Sequence, residues 1–352
     1  MMHSSSSSRA STPARADASK ILYSMDPVRG RARDLRVGLI GMGRIARYQV
    51  EAMRLVEGVQ LVGAFDTNPK AVTMYAAPCR RYACLDSLIQ TAGAEIIVIS
   101  TPTHDHFHTA SRLLARQQAV MIEKPICTSR DELRHLSDMV GNDSELLHAA
   151  LHASFGLEVE WWCSNRQNLS AELGAVRRID MKFVDPYADA AGMVGDQAVG
   201  LGSAWLDSGI NALSVAARLA DPQSMSIECG GRRRARDAGG SASSYAAAMG
   251  CTVDGNPVEV TIETDWSLDV DSKITEIAYS AGTVILDHSK EEVTILPLKR
   301  TKEAKTINLQ NGLPRLTNHY VGVFRNLASS LREHTSNLKH AKGLHDLLFG
   351  VC

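Results

Sequence analysis

Between residues 35 and 150 short apolar runs alternate with amphipathic stretches. The runs at 35–40, 59–65, 96–100, 119–122 and 146–150 are short and mainly apolar, as strands buried on both faces require. The stretches at 46–56, 85–91, 107–116 and 130–140 repeat their apolar residues at helical spacing. Strand and helix in alternation predict an α/β unit with a parallel sheet covered on both sides. Beyond residue 155 the texture changes. A helix at 158–167 leads to strand-like segments at 175–184, 224–229, 245–253, 257–265, 273–279, 282–286 and 292–296. These alternate apolar with polar residues and are joined by turns such as Asp254-Gly255-Asn256. They predict a second, α+β domain built on an open-faced, mainly antiparallel sheet. A helix at 205–219 interrupts it, and the tail from 320 to 348 is helical in period. The division expected is a low-complexity tail (1–33), a first domain (34–152) and a second (153–352).

Composition narrows this picture by exclusion. The 352-residue chain carries 38 Lys and Arg against 39 Asp and Glu, so charge gives no case for nucleic acid or an anionic membrane surface. The run Arg232-Arg233-Arg234-Ala235-Arg236, followed by Gly and Ser, reads as a solvated loop. No apolar stretch is long enough to span a bilayer. The seven cysteines form no C-x-x-C pair, which argues against a disulfide framework or a zinc site and fits a reducing, cytoplasmic setting. Residues 1–33 are rich in Ser, Ala and Arg and poor in core formers, which predicts disorder. No apolar segment follows of the kind a secretory signal needs. The Ser/Arg/Ala bias faintly resembles a transit peptide, against which Asp17 and Asp26 stand.

The sharpest motif follows the first strand. Gly41-Met42-Gly43-Arg44-Ile45-Ala46 is a G-x-G-x-x-G/A dinucleotide fingerprint. Gly41 allows the turn out of the strand, Gly43 lets the backbone approach a pyrophosphate, and Ala46 permits close helix–strand packing. The phosphates then meet the free N–H groups at the positive end of the new helix. Asp66 closes the second strand about twenty residues on, where an acid binds a ribose diol and repels a 2′-phosphate. It favours NAD over NADP, with Lys70 nearby as a counterweight.

Three further segments add chemistry: Ser100-Thr101-Pro102-Thr103-His104-Asp105-His106, Ile122-Glu123-Lys124-Pro125-Ile126 and Trp205-Leu206-Asp207-Ser208-Gly209-Ile210-Asn211. With the glycine turn, in this order and spacing over residues 35–350, they resemble the Gfo/Idh/MocA family of NAD(P)-dependent sugar and polyol oxidoreductases. The resemblance implies that Thr101, Pro102 and His106 lie along the nicotinamide side of the cofactor, with Glu123 near its ribose. It implies that Lys124 reaches the reacting hydroxyl, and that Asp207 and Asn211 face the substrate. Helical i, i+4 spacing turns those last two to one side. A partly desolvated lysine suits the chemistry, since it stabilises a developing alkoxide and shuttles its proton. Dimers or tetramers are expected from the family and from the open sheet face.

The chain departs from the commonest family pattern at residue 211. Most members carry His there as general base, whereas Asn211 takes no proton near neutral pH. The phrase Asp207-Ser208-Gly209-Ile210-Asn211-Ala212-Leu213 is similar to the L-arabinose and D-galactose 1-dehydrogenases of the family. These oxidise the anomeric hydroxyl, which is more acidic than a secondary alcohol and tolerates a weaker base. In those relatives an acid and a histidine also hold sugar hydroxyls; the acid falls at Asp185, the histidine at Ala191, a mismatch, and His152 matches a further position. Two alternatives stand beside the aldose 1-dehydrogenase: an enzyme acting at a secondary carbon of an inositol, aminosugar or nucleotide sugar, and a non-catalytic sensor of NAD and sugar. The cluster His104-Asp105-His106-Phe107-His108 lies in a cofactor-facing turn with no further ligand cluster apparent, so no metal is assigned. Trp161 and Trp162 read as packing; Trp205 has core packing as its first role and sugar stacking as its second.

Overall fold

The apolar runs assemble into two sheets in a computed structural model that describes residues 34–71, 79–141, 145–187, 195, 198, 200–234, 244–298 and 303–351. The tail at 1–33, Ala191 and Cys352 lie outside the described residues. The first sheet contains β1 (Leu35–Ile40), β2 (Val59–Phe65), β3 (Arg80–Arg81), β4 (Ile96–Ile99), β5 (Ala119–Glu123) and β6 (Leu147–Ala150). All pairings are parallel, in the order β3-β2-β1-β4-β5-β6. Every residue of β4, β5 and β6 is buried, which explains their mainly apolar sequence, broken only by Glu123 at the end of β5 and His148 in β6. The crossovers include α1 (Ala46–Leu55), α2 (Leu85–Thr91), α3 (Thr103–Leu114) and α4 (Arg130–Val140). Strand order reverses between β1 and β4, so the carboxyl ends of these strands open a crevice suited to a ligand.

The second sheet is built from β7 (Val176–Val184), β8 (Ser226–Arg234), β9 (Ser244–Val253), β10 (Asn256–Asp265), β11 (Ser272–Tyr279), β12 (Gly282–Asp287), β13 (Glu292–Pro297) and β14 (Lys305–Asn308). Their order is β14-β13-β12-β11-β7-β10-β9-β8. It is mixed: β7 and β10 pair in parallel, and the other pairings are antiparallel. Ile179, Met181, Val260, Ile262, Ile277, Val284 and Leu286 point into the core with α5 (Leu157–Leu173), α6 (Ile210–Leu219) and α8 (Leu338–Val351). Lys182, Glu259 and Glu276 mark the opposite, open face.

One helix belongs to both halves. After Pro314, α7 (Arg315–Arg332) returns to the first sheet. Its Tyr320, Val323, Phe324 and Leu327 share a core with Val37, Leu39, Val50, Met53, Val98 and Met121 from β1, α1, β4 and β5. The parallel sheet therefore owes part of one covered face to a helix from the far end of the sequence.

Several boundaries differ from the sequence expectation, each for a local reason. Helix α3 starts at Thr103 rather than 107, because Pro102 at its N-cap is pre-set for helix entry and Asp105 in its first turn suits the helix dipole. The expected helix 205–219 begins with a widened π-turn, Trp205–Gly209, before α6. The expected helical tail is two helices, α7 and α8, separated where His334 takes a φ of 53°. The strands β3 and β14 and the short 3₁₀ turn His152–Phe155 carry too little periodicity to be read in advance.

Candidate active site

The carboxyl ends of the parallel strands, the widened turn and the head of α7 enclose a cavity of about 430 Å³. Its wall includes Arg44 and Ile45 from the glycine turn and Thr101, Pro102 and His106 from the end of β4 and α3. Glu123 and Lys124 enter from the end of β5, His152 from the 3₁₀ turn, and Asp185, Asp207 and Asn211 from the second half. All the expected catalytic and substrate positions thus meet at one cavity; of the expected cofactor positions, Gly41, Met42, Gly43 and Asp66 do not line it.

The glycine turn has the geometry a dinucleotide needs. Gly41 has φ +86°, and a Cβ there would stand 2.5 Å from the Ser100 carbonyl, so only glycine fits. Gly43 differs: a Cβ there meets no protein atom within 4 Å, leaving its backbone open to a ligand. Asp66 Oδ2 accepts the Met42 N–H at 2.6 Å and Oδ1 accepts that of Asn68 at 2.6 Å, fixing the acid beside the turn. These features fit a bound NAD, with its pyrophosphate over Gly43 and its ribose diol near Asp66.

Glu123 is buried behind the cavity wall. Its Oε1 accepts from Gln49 Nε2 and from Tyr320 Oη, both at 2.7 Å, and Ser100 Oγ in turn donates to Gln49 Oε1. Burial pushes the Glu123 carboxyl up to about 7, although Tyr320, Lys124 and Gln49 pull it back down. His106 sets its Nδ1 against the Pro125 carbonyl at 2.8 Å and its Nε2 against that of Thr101 at 2.9 Å. It therefore ties the two motif loops together, and burial lowers its pKa.

Lys124 Nζ lies 2.5 Å from Asp207 Oδ1 and 3.2 Å from the Asp207 carbonyl oxygen. Both side chains are largely buried, at 12% and 9% exposure, so the pair is shielded from water and from salt. Helix α8 pins both members. The Ile126 N–H donates to His345 Nε2 at 3.0 Å, and Trp205 Nε1 donates to the Leu348 carbonyl at 2.8 Å. Trp205 is wholly buried and serves the core. Asn211 Oδ1 and Thr101 Oγ1 are buried in the wall without a hydrogen-bond partner, a costly state that a ligand hydroxyl relieves.

Asp185 belongs to a second polar chain. Its Oδ2 accepts from Ser208 Oγ at 2.6 Å, and Ser208 accepts from Trp266 Nε1 at 3.1 Å. Its Oδ1 pairs with Lys273 Nζ at 2.7 Å, and Lys273 also reaches Asp271 Oδ1 at 2.5 Å. Burial opposes ionisation of Asp185, but Lys273 and Ser208 outweigh it and hold the carboxyl below its ordinary value. His152 Nδ1 meets His319 Nδ1 at 3.2 Å, with the rings stacked 5.5 Å apart. Burial lowers both imidazoles well below their ordinary value, and Lys124, Arg315 and Lys273 add to the effect on His152.

Sequence reasoning missed Gln49, Lys273, His288, Arg315, His319 and Tyr320. Gln49 lies on the helix that follows the glycine turn but outside the fingerprint itself; the others reach the site from elements distant in sequence and sit in no local motif. One signal was available: Arg315 and His319 stand one helical turn apart just after Pro314, a helix-entry position.

Comparison with known proteins agrees with this geometry. Residues 35–151 match the Gfo/Idh/MocA family model, described as an oxidoreductase family with an NAD-binding Rossmann fold. An uncharacterized oxidoreductase of Rhizobium meliloti is 27% identical over 187 residues, 52% of this chain and 55% of the relative. Inositol 2-dehydrogenase of Rhizobium meliloti (strain 1021) is 25% identical over 158 residues, 44% of this chain and 46% of the relative. The chain thus spans about half the length of these curated relatives. Among solved structures, a levoglucosan dehydrogenase in complex with NADH and levoglucosan superposes with a TM-score of 0.71 at 14% identity, covering 90% of this chain and 95% of that one. That likeness establishes the shared fold. Among the described residues no helix is long and apolar enough to cross a membrane.

Proposed function

From the premise that residues 35–151 belong to the Gfo/Idh/MocA oxidoreductase family, we propose that the chain is an NAD-dependent dehydrogenase of a sugar or polyol. The observation that carries the reading is the shielded Lys124–Asp207 pair, set in the same cavity as the glycine turn and the unpartnered Asn211 Oδ1. NAD, when bound, supplies the hydride acceptor. The chain's own residues do the rest. Gly43 and the start of α1 receive the phosphates, and Asp66 takes the ribose diol. Lys124 Nζ receives the hydroxyl of the substrate, steadies the charge that develops on its oxygen, and relays the hydroxyl proton toward Asp207 Oδ1, 2.5 Å away. Asp207 orients Lys124, and Asn211 Oδ1 accepts a hydrogen bond from a sugar hydroxyl. His152 and Asp185 bound the pocket on the substrate side.

The finer reading is oxidation of a free aldose at its anomeric carbon to a lactone. Asn211 supports it, because a position that lacks the family's usual histidine base suits a more acidic hydroxyl. Likeness to an inositol 2-dehydrogenase supports the second reading, oxidation at a secondary carbon. Self-association through the open face of the second sheet completes the proposal.

One assay separates the readings: NAD and NADP reduction across free aldoses and inositols. A lactone product from one aldose, with NAD preferred, supports the first. Turnover of an inositol alone selects the second. Lys124→Ala is expected to lower kcat/KM by about 10²–10⁴-fold. Wild-type turnover undiminished in that variant would remove Lys124 from the chemistry.

A further inference from the structure

The wall of the cavity has an end that the proposed hydride chemistry does not use. Arg315 opens α7, an 18-residue helix with no side chain capping its first turn. His319 follows one turn later, and both residues line the cavity with Leu316 between them. His319 is 3% exposed and its Nε2 has no hydrogen-bond partner, while its Nδ1 is occupied by His152. A buried imidazole nitrogen left unpaired at a cavity wall is what a missing ligand group leaves behind.

The charges around it specify that group. Lys124 is engaged by Asp207, and Lys273 by Asp185 and Asp271, all at 2.5–2.7 Å. Arg315 has only long contacts, 3.3 Å from Nη1 to the His288 carbonyl and 3.5 Å from Nη2 to Asp271 Oδ2, so most of its five donors remain for a ligand. Arg315, Lys273 and His288 stand around His319, and of the three Lys273 and His288 are closely paired with carboxylates, His288 with Glu158 Oε1 at 2.7 Å. The helix N-terminus adds partial positive charge in the same direction.

We propose that Arg315, His319 and the first turn of α7 form a carboxylate subsite, so that the polyol oxidised here is a sugar acid such as a hexuronate. The subsite deepens the dehydrogenase reading and rests on it for the identity of the reacting end. With His152 Nδ1–H donating to His319 Nδ1, the proton of a neutral His319 sits on Nε2, and that N–H together with the Arg315 guanidinium matches the two oxygens of a carboxylate. The single negative charge would pair with Arg315, whose carboxylate contact is long, whereas Lys273 and His288 are already paired with Asp185, Asp271 and Glu158 at 2.5–2.7 Å. A phosphate dianion would bring twice the charge toward Asp271 and Asp185, and a plain hydroxymethyl group would leave Arg315 with only its 3.5 Å contact to Asp271.

Binding tests the subsite without requiring turnover. Calorimetric titration of the NADH-loaded full chain with D-galacturonate and D-galactose, D-glucuronate and D-glucose, and D-glucose 6-phosphate compares the three chemistries. The expected result is at least one uronate bound tenfold or more tightly than its neutral partner. Arg315→Gln and His319→Asn should each erase that preference, with thermal melting confirming that the variants are folded. Equal affinity for acid and neutral sugar, no binding of either, tighter binding of the phosphate, or a preference untouched in both folded variants would overturn the subsite. A chain that binds uronates but reduces no NAD fails as a dehydrogenase and keeps the subsite. One that oxidises neutral polyols without preferring uronates does the reverse.

Discussion

At Gly41 and Gly43 two glycines of one motif do different physical work. Gly41 is required by the protein itself, since a Cβ would collide with the Ser100 carbonyl; Gly43 is required only by what approaches it. Gly43→Ala should therefore leave urea stability within about 0.5 kcal/mol of the parent. It should weaken NAD binding at least tenfold, about 1.4 kcal/mol, in a fluorescence titration of cofactor. Glu123 yields a second test. Its folded pKa, raised to about 7 from 4.5, makes the buried carboxyl easiest to hold when protonated. The associated stability is fully present below pH 4.5 and is lost as pH rises through 7. Glu123→Gln carries no such charge, so its stability relative to the parent should rise across that window, by about 3 kcal/mol at most. Urea midpoints measured from pH 4.5 to 8 decide it; parallel curves would mean that Glu123 is not strained by burial. At this scale the sequence was legible where a residue sits in a local motif, as Lys124 and Asp207 do. It was silent for Lys273, Arg315 and His319, whose role depends on which distant element lands beside them.

Elements place these residues, and α8 is the one that sequence reasoning undervalued. His345 and Leu348 stand three apart and so share a helix face. One takes the Ile126 N–H beside the Lys124 turn; the other's carbonyl takes Trp205 Nε1 beside the Asp207 turn. A single helix thereby sets the separation of the Lys124–Asp207 pair from behind. His345→Leu strands a buried N–H, which should cost about 1–3 kcal/mol of unfolding free energy. In any polyol assay that reports turnover it should also lower kcat, by letting the loop of Lys124 drift. Full activity in a destabilised variant would confine His345 to folding. Strands were easier to foresee than helices here. Residues of β4, and of β5 up to Ile122, are apolar throughout, whereas the polar start of α3 at Thr103–His106 looks like a loop until Pro102 is recognised as its entry.

Across the whole molecule the two sheets were foreseeable, because continuous apolar strands and alternating ones announce different surroundings. Their sharing of α7 was not. An amphipathic period shows that a helix has a buried face, not which sheet will bury it. That sharing makes residues 34–152 a recognisable unit that is not a self-sufficient one. Expressed alone, the segment lacks Tyr320, Val323, Phe324 and Leu327 over its core, and Glu123 lacks the Tyr320 hydroxyl. It should bind a hydrophobic dye and show a weak near-ultraviolet signal, and adding α7 through a linker should restore both toward the native chain. A fragment as rigid as the parent would show the helix to be dispensable. The same feature sets a clock on biosynthesis. The nucleotide-binding strands leave the ribosome first, yet the helix that seals them follows only after the entire second sheet has been made. Throughout that interval the nascent chain is expected to present an apolar sheet face, which makes newly made molecules more prone to aggregate than the finished protein.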